Sequence, residues 1–87
     1  MLPGEDLIKE GLRDLVEGRE TVASLLVEIG APRLRRAGIA VPFSLSKLPE
    51  HRLYKRLAED NSDSAHSRYN ALIRRLVSYE RALECVG

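Results

Sequence analysis

The sequence predicts an all-α protein: a small bundle of four main helices plus one short turn helix, with an extended apolar linker at about residues 39–48. Three observations carry that expectation. Apolar residues recur at three-and-four spacing through most of the chain, the period of a helix with one buried face. Gly18, Gly38 and Pro49 punctuate the pattern where helices stop and start. One stretch has the two-residue period of an extended chain, and no second such stretch exists for it to pair with.

The first helix is expected over about residues 4–17. Pro3 sits near its start, Glu5 and Asp6 complement the positive end of the helix dipole, and Leu7, Ile8, Leu12, Leu15 and Val16 line one face. Gly18 reads as a stop. The apolar pattern resumes at Val22, Leu25, Leu26 and Ile29 in nearly the same phase, so a single helix through Gly18, at a cost of about 1 kcal/mol, competes with two helices. Thr21 is a good N-cap and favours two. Gly30, Ala31 and Pro32 then read as the end of the second helix, because glycine suits the left-handed residue after a helix and proline cannot continue the ladder. Pro32 would open the short turn helix, Arg33 to Ala37, closed by Gly38.

In the linker, Ile39, Val41, Phe43 and Leu45 alternate with Ala40, Pro42, Ser44 and Ser46. Pro42 argues against a central strand. Two arrangements bury the apolar side: a strap laid across the helices, or antiparallel pairing of two copies across a dimer. Pro49 and Glu50 begin a helix of about ten residues that turns Leu53, Tyr54, Leu57 and Ala58 inward and Arg52, Lys55, Arg56 and Glu59 outward. Asn61 to Ser64 supply a turn and caps for the last helix. There Ala65, Tyr69, Leu72, Leu76, Tyr79, Leu83 and Val86 alternate steps of four and three, with Ile73 and Val77 widening the stripe. About 22 residues and 33 Å long, this helix is expected to be the spine on which the others pack.

Composition bounds the function. A chain of 87 residues forms one domain, 1–87, too small for a large enzyme cleft. With 44% hydrophobic residues and a formal net charge of +1 the chain is not disordered, and no apolar run approaches the roughly 18 residues of a membrane span. The start carries Glu5, Asp6 and Glu10 where a secretory signal needs basic and unbroken apolar regions, so a cytoplasmic location is expected. Cys85, the lone cysteine, excludes an intrachain disulfide and a Cys-based zinc site. Charge is partitioned: Lys9, Arg13 and Arg19 face seven acids over residues 1–30, whereas Arg33, Arg35, Arg36, Lys47, Arg52, Lys55 and Arg56 face Glu50 alone over residues 31–58.

Catalytic signals are absent. The chain has no Gly-rich phosphate loop, no His-Glu-x-x-His pair, no nucleophile elbow and no calcium loop, and His51 and His66 fall on different expected helices. No catalytic residue, metal or cofactor is predicted. His66, Asn70 and Arg74 share a helical face, which suits a surface row as well as a general base beside an anion clamp. Two other surfaces stand out. Arg33, Arg35 and Arg36, with Arg52, Lys55 and Arg56, are candidate contacts to an anion or a nucleic-acid backbone. The stretch from Glu20 to Ile39 has the outline of a helix-turn-helix, although its second helix would be too short and lacks the Asn and Gln side chains that read bases. The alternative is that these arginines pair with the acidic first part of the chain, at Glu10, Asp14, Glu17 or Glu28. Tyr69, Leu72, Leu76, Tyr79 and Leu83 are the candidate packing or dimer seam, since a buried tyrosine needs a partner for its hydroxyl and suits a boundary. The expected protein is a small cytoplasmic regulatory or accessory subunit that works by contact with another protein or a second copy of itself. It has no catalytic activity of its own, and nucleic-acid backbone binding is the alternative.

Overall fold

A computed structural model describes residues 2–42 and 48–86. Four helices follow in order, α1 (Glu5–Val16), α2 (Val22–Arg36), α3 (Pro49–Asp60) and α4 (Ala65–Val86), and no strand occurs among the described residues. This is the all-α bundle the periodicity predicts. Residues 4–30 hold two helices, broken at residues 17–21.

Two helix ends share one geometry. Gly18, at φ +73°, lets its own N–H reach the Leu15 carbonyl at 3.1 Å and the Arg19 N–H reach the Asp14 carbonyl at 2.8 Å. Gly38, at φ +94°, does the same with Arg35 and, through the Ile39 N–H, Leu34, both at 3.0 Å. Both are Schellman ends, which use a left-handed residue to satisfy the last carbonyls. Between them Thr21 caps α2: its hydroxyl accepts from the Ser24 N–H at 3.1 Å, while Ser24 Oγ accepts from the Thr21 N–H at 2.8 Å. The Thr21 hydroxyl also donates to Asp14 Oδ2 at 2.7 Å, and Arg19 donates to Asp14 Oδ1 at 3.1 Å. A buried carboxylate therefore locks the α1–α2 turn.

The expected break at Gly30, Ala31 and Pro32 does not occur. α2 continues through all three, and the expected turn helix, Arg33 to Ala37, is its last turn and cap. The helix-turn-helix outline is accordingly one straight-through helix. Packing decides this. Leu34 is fully buried and Ala31 nearly so, in phase with Leu26 and Val27; sealing Leu34 recovers about 2 kcal/mol, and the burial of Ala31 and the hold of Arg35 on the strap add the rest against the roughly 3 kcal/mol that an interior proline costs. Pro32 itself faces solvent.

The expected spine is also corrected. α4 spans about 33 Å of a molecule 38 Å long, yet α1, α3 and α4 all pack against α2, which has eight buried residues against four in α4. Glycines set the two closest crossings. A Cβ at Gly11 of α1 would overlap the Ala23 carbonyl and the Val27 methyl of α2, and one at Gly30 of α2 would lie 2.7 Å from Leu76 Cδ1 of α4. One hydrophobic cluster joins Ile8, Leu25, Leu26, Val27, Leu34, Leu53, Leu57, Leu76 and Tyr79.

Of the linker, Val41 is buried and Ile39 half-buried, laid on the helices as a strap. Arg35 holds it by donating to the Val41 carbonyl at 3.2 Å and the Pro42 carbonyl at 3.2 Å. The expectations for Phe43, Ser44, Leu45 and Ser46, including antiparallel pairing of two copies, lie outside the described residues. Leu48 leads into α3 at φ +53°, with Pro49 following as the first helical residue. Asn61 Oδ1 accepts from the Asp63 and Ser64 N–H groups at 3.0 and 3.2 Å in the turn before α4.

Two predictions follow from the α1–α2 pairing. Gly11→Ala should cost about 3 kcal/mol, because the added methyl meets backbone that cannot yield, and lower the melting temperature by roughly 10–20 °C. A shift under about 2 °C would contradict the close crossing. Asp14→Ala should cost about 2 kcal/mol in urea unfolding at neutral pH by stranding the Thr21 hydroxyl and freeing Arg19, and an unchanged midpoint would remove the lock.

Candidate functional site

The six cations singled out from the sequence do not form one patch. Arg33 faces α4, its Nε donating to Glu84 Oε1 at 2.7 Å with Nη1 3.5 Å from Glu80 Oε1. Arg35 is spent on the strap carbonyls. Arg36 lies beside Arg33, Ala37 and Glu84 around a shallow cleft of about 320 Å³. Arg52 and Arg56 reach the other way, both to Glu20, with Arg56 Nη1 at 3.6 Å from Oε1. Lys55 joins them in lining a second cleft of about 190 Å³ with Glu20 and Glu59. Neither Arg36 nor Lys55 has an ion-pair partner among the described residues. Neutralisation inside the fold is thus real, and for Arg33, Arg52 and Arg56 it comes from Glu20, Glu80 and Glu84 rather than from Glu10, Asp14 or Glu17.

Glu80 is the unusual member. Its position four residues after Leu76 puts it on the buried face of α4, where it is 5% exposed. Burial pushes its carboxyl above the ordinary glutamate value, with Arg33 pulling down and Glu84 pushing up. Glu84, at the exposed edge, is held below the ordinary value chiefly by the hydrogen bond from Arg33. One arginine therefore serves a buried and an exposed carboxylate across the α2–α4 contact.

The candidate seam divides in two. Leu76 and Tyr79 are core residues, 3% and 5% exposed, against α2 and the start of α1, whereas Tyr69, Leu72 and Leu83 are half-buried and pack on the core's edge. The centre of the seam is consumed within the chain and is not free for a partner. At its N-terminal end Tyr69 meets Tyr54 of α3, ring centroids 5.7 Å apart and planes tilted by 57°. Burial raises the Tyr69 hydroxyl above its ordinary pKa, with Glu50 adding to the effect. Tyr54 remains 40% exposed.

Other candidates are plain surface. The His66 ring and the Asn70 amide approach to 3.2 Å on the outer face of α4 beside exposed Arg74. Among the described residues no group of three His, Cys, Asp or Glu side chains is placed to hold a metal ion, and no helix is long and apolar enough to cross a membrane. Glu20, Glu80, Glu84 and the outward turn of Tyr54 were missed from sequence. Glu80 was findable, since it falls in phase with the Leu76 stripe. Glu20 was not, because nothing local links it to an arginine 32 positions on.

The Arg33 cluster predicts a pH-dependent variant. Glu80 has a raised folded-state pKa, so its protonated form adds stability at low pH that is lost as pH rises through that value. Glu84 has the opposite shift, contributing stability at neutral pH that is lost as pH falls. Arg33→Met removes the cation both depend on. Its melting temperature should fall below wild type at pH 7, and the gap should close as pH drops through the ordinary value of 4.5. A pH-independent gap would show that Glu80 does not feel Arg33. Compared with family models, curated proteins and solved structures, the chain matches none, so the surface itself carries the functional argument.

Proposed function

We propose that the chain acts by contact with a second copy of itself, as a small regulatory or accessory protein with no catalytic activity of its own, and that the α3–α4 face around Tyr54 and Tyr69 is the contact. The observation that carries this reading is the tyrosine pair at the surface. The chain has three tyrosines and one phenylalanine, and two of these four aromatic side chains meet where α3 and α4 reach solvent. Tyrosine and arginine are enriched where proteins bind one another, because a rigid ring buries area at low entropic cost. Half-buried Leu72 and Ile73 continue the face along α4 from Tyr69. Its rim carries Glu50 and the Arg68–Asp60 ion pair, 2.7 Å apart, so both signs are present for a two-fold axis to bring opposite. A formal net charge of +1 gives two copies little reason to repel.

Nucleic-acid binding has less support. Of the six cations it would use, Arg33, Arg52 and Arg56 sit in ion pairs and Arg35 holds the strap, and the clusters lie on different helix contacts. An exposed thiol at Cys85 suits a reducing compartment, consistent with a cytoplasmic setting.

Light scattering tests this. At about 100 µM, where a dimer with micromolar Kd is populated, the mass should be twice the 9.8 kDa of one chain. Tyr54→Lys should restore the single-chain mass while leaving the helical circular dichroism unchanged, since Tyr54 supplies little of the core. A single-chain mass for the wild type at millimolar concentration would overturn the reading.

A further inference from the structure

The cleft between the α1–α2 turn and α3 gathers three cations, Arg52, Lys55 and Arg56, against the carboxylates of Glu20 and Glu59. Arg52, Lys55 and Arg56 project from one flank of α3 within little more than a turn. Cations at three- and four-residue spacing on a helix repel one another, and an anion among them relieves that repulsion. Only Glu59 and Glu20 line the cleft with them. Glu20 answers Arg52 and Arg56 from the turn that precedes α2, just ahead of the positive end of that helix's dipole. Lys55 is left without an ion-pair partner among the described residues.

We propose that this cleft binds a phosphate-type oxyanion, and that the Glu20 carboxylate occupies the site in the anion's absence. A planar carboxylate offers two oxygens, and Arg52 and Arg56 already take both. A tetrahedral phosphate adds a third oxygen and a second charge, which matches three cations better than one carboxylate does, and guanidinium forks bind such oxygens in pairs. The space, about 190 Å³, is far above the roughly 10–15 Å³ that one water needs. Glu20 stands outside any helix, with its side chain 35% exposed, and can swing to solvent without disturbing the Thr21 cap. The occupant is a single anionic group, since among the described residues only Arg52, Lys55 and Arg56 bring positive charge to the lining of the cleft.

The experiment is a titration of the full chain with inorganic phosphate at pH 7, followed by backbone amide NMR. Shifts should concentrate at residues 19–21 and 52–59. Glu20→Gln, which empties the site of its internal competitor, should bind phosphate roughly fivefold more tightly, the equivalent of losing exposed ion pairs. Arg56→Gln in that background should abolish the gain. Acetate at equal ionic strength should not produce the same shifts. Should Glu20→Gln fold poorly, thermal stabilisation of the wild type by phosphate over acetate gives an independent reading. Equal affinity in wild type and Glu20→Gln, shifts scattered over the surface, or equal response to acetate would each overturn the proposal.

Discussion

The close crossing of α2 with its neighbours is the constraint from which the rest of the molecule follows. α1 approaches at Gly11 until its backbone lies against the Ala23 carbonyl, and α4 approaches α2 at Gly30 until Leu76 fills the space a side chain would have taken. Helices this near to one another bury Leu25, Leu26, Val27 and Leu34 completely, and α2 is the centre because α1, α3 and α4 all cover it, not because it is the most apolar element. α2 can be hydrophobic over most of its circumference only because the three other helices share its perimeter.

A buried centre displaces charge to the rims of the contacts, and there it does two jobs. Asp14 and Arg19 tie the turn between α1 and α2, and Arg33 ties α2 to α4 through Glu80 and Glu84. These links are worth little each where they are exposed. Asp14 and Glu80 are different, since a buried carboxylate that loses its donors has no water to replace them. The same displacement breaks the basic middle segment into separate groups. A segment that looks like one cationic patch along the chain becomes a clamp on α4, a staple on the strap and a cluster over the α1–α2 turn.

Local rules made the helices legible. The Thr21 cap, the Gly18 and Gly38 ends, the Pro49 start and the four-three stripe of α4 all depend on residues within a few positions of each other. What was not legible depends on distance. Pro32 is a helix breaker by propensity, and the burial of Ala31 and Leu34 against the other helices, with Arg35 holding the strap, keeps the chain helical past it. The stripe of α4 gave its apolar face correctly but not its neighbour, so the longest helix looked like the centre although the centre is the helix with the most sides covered. Of the candidate site, the residues were readable and their grouping was not: Glu20 stands 32 positions from Arg52, and Glu84 stands 51 from Arg33.

α3 shows how a short amphipathic helix can serve more than one surface. Leu53 and Leu57 fix its rotation by pointing into the core, and that rotation sends Tyr54 to one side, toward α4, and Arg52, Lys55, Arg56 and Glu59 to the other, toward Glu20. The two surfaces share no side chain. A contact through the tyrosines leaves the cationic cleft open, and an anion in the cleft leaves the tyrosines free. Coupling between them has one physical route, the rotation or sliding of α3 itself, and the two fully buried leucines oppose it. Association and anion binding on this scaffold are therefore independent to first order. Any cooperativity between them would mean that the core beneath α3 has two packings, which would be read first as a change in the exposure of Leu53 and Leu57.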